Sequence, residues 1–139
     1  MKLQIDCVRD VLLVLERVHR ISVDDSFSVE QNTLTFRELC SELPDWDRAD
    51  VFYTVSNLKQ AGLLFADIEI VNDYVVLCLV SGLTYEGHKY LDSIRDEQRW
   101  AGIKKALPAI RNYSLDAIRA ITEGATSAAI TAYFRKYPE

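Results

Sequence analysis

The chain has 139 residues, 49% of them hydrophobic and 27% charged, with a formal net charge of −5 at pH 7. That length suits one domain whose core needs no disulfide or metal staple, and with only 5 glycines and 3 prolines the disordered, collagen-like and low-complexity classes are excluded. The longest apolar runs, 11–15 and 74–80, are far too short to span a bilayer, and Lys2, Asp6, Arg9 and Asp10 break up the apolar stretch of a signal peptide, so a cytoplasmic protein with no membrane partner is expected.

Residues 4–20, QIDCVRDVLLVLERVHR, set Ile5, Val8, Leu12 and Leu15, with Val11 or His19, on one helical stripe. Acids come early in this first helix and bases late, as the helix dipole favours. Residues 21–33 lose the period and collect Ser, Asp, Asn and Thr, which predicts a loop or a short β excursion. Thr35 then opens a short helix with Glu38 placed to complete a capping box, and Pro44 ends it. Asp45 or Asp47 can cap a third helix, whose core face holds Val51, Val55 and Leu58 and whose end is marked by Gly62.

Two β-rich runs follow, 63–70 and 74–80, joined by a turn at Asn72-Asp73. After them Leu83, Gly87, Tyr90, Leu91, Ile94 and Trp100 form the stripe of a long helix. A break near Asn112 leads to a helix capped by Ser114, and a last helix is expected from Thr126 or Ser127 to Pro138. Three helices with a short turn between the second and third, then a hairpin, predict an α+β winged helix-turn-helix core over 1–100. A helical extension over 101–139 packs on that core or forms a dimer interface.

The stretch at residues 82–100, GLTYEGHKYLDSIRDEQRW, carries the pattern LT-aromatic-EGH-x-aromatic-LD-x-IRD with a Trp close behind. With LQIDCVRDVLLVLE near the start and the AGLL junction, it resembles the bacterial and phage proteins grouped as domain of unknown function 2513 (DUF2513). The resemblance covers roughly residues 1–125, less well at 21–33 and towards the C-terminus. It implies a winged-helix-like domain, often in prophage or mobile-element settings, and it implies no activity.

Chemistry-bearing residues are sparse. Cys7, Cys40 and Cys78 are far apart in apolar segments and read as reduced core thiols, not as paired metal ligands. His88 with Glu86 and Asp92 is the best acid–base cluster, yet the only other histidine, His19, lies on the first helix, so a structural role near the start of its helix is preferred. No nucleophile elbow, P-loop or dinucleotide fingerprint occurs, so neither enzyme activity nor a metal or cofactor is expected.

Binding remains, in two forms. A DNA-associated regulator would lay the third helix in the major groove of double-stranded DNA and read it with Arg48, Tyr53, Thr54, Asn57 and Lys59, helped by Ser56. Against this stand Asp45, Asp47 and Asp50 at that helix's start, and Asp67, Glu69 and Asp73 in the wing. Phosphates supply much of DNA affinity, and these carboxylates repel them. The alternative is an adaptor that binds another protein or a second copy, for which Ile130, Tyr133, Phe134 and Tyr137 form an apolar stripe. The last forty residues hold the only positive surplus, including Lys104, Lys105, Arg111, Arg119, Arg135 and Lys136; solvation is their simplest role.

Overall fold

Helix α1 (Ile5–Val18) runs through the centre of the fold with Cys7, Val8, Val11, Leu12, Val14 and Leu15 buried along one side. The stripe is therefore wider than a single row, and Val11, not His19, completes it. Two carboxylates one turn apart on α1 each fix a tryptophan: Asp6 accepts the indole N–H of Trp100 at 2.9 Å, and Asp10 accepts that of Trp46 at 2.9 Å. The computed structural model describes residues 1–110 and 114–123. Ile130, Tyr133, Phe134 and Tyr137, the expected dimer stripe, lie outside the described residues, as do the expected last helix and the stop at Gly124.

After α1 the chain forms an antiparallel ribbon of β1 (Ile21–Val23) and β2 (Val29–Gln31). The short β excursion allowed by the sequence is thus a hairpin. Strand β3 (Leu34–Thr35) then leads directly into α2 (Phe36–Glu42). Thr35 and Glu38 make the capping box, Thr35 accepting from the Glu38 N–H and the Glu38 carboxylate accepting from the Thr35 N–H.

Helix α3 (Arg48–Gln60) buries Val51, Thr54, Val55 and Leu58. Asp47 occupies its N-cap position without a side-chain capping bond, so its acid helps through the helix dipole alone. Gly62, at φ 76°, takes the left-handed turn that ends the helix.

Strands β4 (Leu64–Val71) and β5 (Tyr74–Leu83) pair antiparallel through a two-residue turn, in which Asn72 (φ 49°) and Asp73 (φ 66°) both adopt left-handed geometry. This is the twist a tight hairpin requires, and Asn and Asp tolerate it best after glycine. The sheet order is β3-β5-β4, so the short strand before α2 closes one side of the hairpin's base. Register shifts at Phe65/Ala66 and Glu69/Ile70 bend β4 as it leaves the core.

The stretch expected to be one long helix is two. Helix α4 (Tyr85–Ile94) ends where Arg9 of α1 donates to the carbonyls of Ile94 and Arg95, at 2.9 and 2.6 Å. Asp96 then caps α5 (Glu97–Ile110) by accepting the Arg99 N–H at 3.0 Å. The division of the chain drawn at residue 100 falls inside α5, whose Trp100, Ile103 and Leu107 join the core. Helix α6 (Leu115–Glu123) is capped by Ser114, as its sequence suggests, and adds Ile118. The result is an α+β fold with two small antiparallel sheets and six helices among the described residues.

Candidate interaction surface

Of the helix α3 residues expected to read DNA, one is buried and the others reach the surface to different degrees. Thr54 is 1% exposed, buried beside the Cys7 thiol. It therefore leaves the set of candidate base-reading residues. The periodicity held the signal, because 51, 54, 55 and 58 together make the i, i+3, i+4, i+7 face of a buried helix.

Asn57 is half-buried, and its amide donates to the Tyr53 carbonyl at 2.8 Å, one turn back on the same helix. That bond takes one of the amide's two N–H donors and fixes its orientation on the helix. Arg48 and Lys59 are exposed, and Tyr53 and Ser56 are half-buried. The exposed positions of the helix are Arg48, Ala49, Lys59 and Gln60, two of them basic and none acidic.

Electrostatics oppose a polyanion as well. Asp45 and Asp47 are exposed at the start of α3, and neither has an ion-pair partner among the described residues. Asp67, Glu69 and Asp73 are exposed on the β4–β5 hairpin. From Gln60 to His88 the chain has no lysine or arginine.

What the hairpin does present is apolar. Phe65, Ile70, Val71, Tyr74, Val75, Val76 and Leu77 are all exposed, and Tyr74 at the turn is 76% exposed. Strand β3 pairs only with Val80 and Leu79, so β5 is unpaired on that side from Tyr74 to Cys78, and β4 is the sheet's other edge. An exposed apolar patch with open strand edges is a place where proteins bind one another.

The remaining candidates are structural or solvated. His88 is exposed, so it does not anchor its helix against the hairpin, and Asp92 is held by Arg95 at 2.7 Å. Glu86 pairs weakly with Lys89 at 3.8 Å. No group of His, Cys, Asp and Glu able to hold a metal occurs among the described residues. Burial pushes the thiols of Cys7, Cys40 and Cys78 upward, so all three are held protonated at neutral pH. Gly82 lies within β5. It leaves room for the His19 ring, which would sit 2.5 Å from an added Cβ and which bonds Gln31 at 3.2 Å.

No helix among the described residues is long and apolar enough to cross a membrane. The family described as "Hypothetical protein (DUF2513)" matches residues 2–112. An uncharacterized protein of Haemophilus influenzae is 30% identical over 129 residues, covering 88% of this chain and 93% of its own. No solved structure matches the chain. On these matches, the expected resemblance holds and the chain belongs to the DUF2513 family.

Proposed function

We propose that this chain is a non-enzymatic binding protein on a winged-helix scaffold, and that its β4–β5 hairpin docks a protein partner. The element order supports the scaffold: α1, β3, α2, α3, β4 and β5, with β3 beside β5 and an extra ribbon inserted after α1. The observation that carries the partner is the hairpin's surface, apolar at Ile70, Val71, Tyr74, Val75 and Val76 and acidic at Asp67, Glu69 and Asp73. Each large apolar side chain taken out of water contributes about 1.5–3 kcal/mol, so a few of them supply a central anchor. The carboxylates select a partner with a basic rim.

Affinity capture with the full chain tests this when wild type and Val76→Lys are compared. A specific protein retained by wild type and lost with Val76→Lys, at unchanged circular dichroism, supports the reading. Equal retention by both removes the hairpin from it.

The second reading is a DNA-associated regulator, favoured by the exposed Arg48 and Lys59 on α3. It is tested by anisotropy of labelled duplexes, random and from the gene's own upstream region, at low and near-physiological salt. Specific binding that weakens with salt and with Arg48→Ala would replace the protein-docking reading. Absence of binding even at low salt retires it.

A further inference from the structure

Two features outside the β4–β5 hairpin have no element packed over them among the described residues. The first is the β1–β2 ribbon, whose six strand residues are all exposed. Val23 lies opposite Val29, and Ile21 shares their face, so one face of the ribbon is apolar and open to water.

At the tip Phe27 is 86% exposed and sits at φ 64°. A bulky residue in the left-handed region costs about 1–3 kcal/mol. The tip is held in this form by Asp24, whose Oδ1 accepts the N–H groups of Ser26 and Ser28, both at 2.9 Å, and the Ser26 hydroxyl at 2.7 Å. The base is equally fixed: Asn32 accepts the Arg20 N–H at 2.6 Å and donates to the Val18 carbonyl at 2.8 Å. The ribbon is therefore an arm pinned at its root, with a strained aromatic and the acids Asp24 and Asp25 at its end.

The second feature is a cleft of about 440 Å³ beside α2 and the start of α3, lined by Phe36, Arg37, Cys40, Pro44, Trp46 and Arg48, and also by Ser41. Its walls are rigid. Trp46 is tied to Asp10, and Phe36 packs edge-to-face on Phe52 with ring centres 5.7 Å apart. Arg37 and Arg48 are both exposed, and among the described residues neither pairs with a carboxylate.

We infer that the arm of one copy docks in this cleft of a second copy, with Phe27 against the aromatic wall and Asp24 and Asp25 meeting Arg37 and Arg48. The match is one of charge and kind: an aromatic beside two acids on one surface, aromatics beside two unpaired guanidiniums on the other. The acids must therefore reach Arg37 and Arg48 while avoiding the exposed Asp45 and Asp47 just before Arg48 in sequence. Guanidinium and carboxylate pair with directed, charge-assisted hydrogen bonds. Phe27 is the anchor, because burying its ring recovers hydrophobic free energy that the strained, exposed tip forgoes in the monomer. Two copies related by a two-fold axis make the contact twice, each lending an arm and receiving one, which closes the pair.

This contact is separate from the hairpin surface proposed for another protein, and the two fail independently. Sedimentation velocity of the full chain over a wide concentration range is expected to show reversible self-association that weakens with salt. Phe27→Ala and the pair Arg37→Glu, Arg48→Glu each weaken it by at least about 30-fold. All three positions are exposed, so circular dichroism and melting are unchanged. Mixing the arm variant with the cleft variant recovers part of the association, since one of the two contacts then has an intact arm and an intact cleft. Val76→Lys leaves association as in wild type. A chain that stays monomeric at every concentration, a dimer indifferent to these variants, or a mixture that recovers nothing would each overturn the inference.

Discussion

At Gly87 the backbone of α4 approaches so closely that an added Cβ would sit 1.9 Å from the Leu63 carbonyl oxygen. The same carbonyl accepts the Thr84 N–H at 3.1 Å, and the Thr84 hydroxyl donates to the Gly62 carbonyl at 2.6 Å and accepts the Gly87 N–H at 3.0 Å. Thr84 with Gly87 looks like half of a capping box in the sequence. The structure gives the reason: the third helical position must be bare where the backbone of the α3–β4 junction touches it. Gly87→Ala is expected to destabilise the fold by about 2–4 kcal/mol, because backbone, not a flexible side chain, must move; urea denaturation measures it. Tyr90 is the opposite case. It is 3% exposed, and its hydroxyl has no hydrogen-bond partner among the described residues, while burial holds the phenol far above its ordinary pKa. Removing an unsatisfied hydroxyl relieves its desolvation. Tyr90→Phe is therefore expected to leave stability unchanged or raise it by up to about 1 kcal/mol, read from the same denaturation curves.

Between elements, the chain relies on polar ties from α1 to parts far away in sequence. Arg95, past the end of α4, donates to Glu16 of α1 at 2.9 Å and to Asp92 at 2.7 Å. The guanidinium holds the Glu16 carboxyl below the usual glutamate range, chiefly through that hydrogen bond. A carboxyl whose folded pKa is lowered stabilises the native state above its unfolded value, near 4.3, and loses that contribution as pH falls through the lowered folded pKa. Side-chain exposures of 33% and 41% mean that solvent screens much of the attraction, leaving about 1 kcal/mol or less. Arg95→Met is expected to cost about that at pH 7, and its deficit relative to wild type should shrink as the pH is lowered past 4; melts across a pH series would show a constant deficit if the pair contributes nothing. Such ties are illegible in the sequence. Asp6 and Trp100 are 94 residues apart, and no local pattern connects them. The Thr35–Glu38 box was legible because both partners sit within one turn of the same chain segment.

For the whole molecule, the β4–β5 hairpin divides into a base that holds the core and an outer half that holds nothing. Leu64, Cys78, Val80 and Leu83 are buried, while Tyr74, Val75 and Val76 are exposed. Substitution in the outer half is then a matter of surface and not of stability. Val76→Lys is expected to change the unfolding free energy by less than about 0.5 kcal/mol, measured by urea titration; a larger loss would mean that the outer hairpin contributes to the core. Most elements and their order follow from local sequence, because helical and strand periods, capping residues and turn residues act over a few neighbours. Local sequence showed α1, the capping box, the Gly62 stop and the Asn72-Asp73 turn, and it marked the hairpin as acidic. Tertiary structure alone decided that Asp6 and Asp10 hold Trp100 and Trp46, that Arg9 and Asp96 divide the helix after the hairpin, and that the residues from Tyr74 to Val76 stand clear of the core. The physical reason is common to all three. Whether a side chain is covered depends on which distant element packs over it, and that information lies in the assembled core, not in the local period.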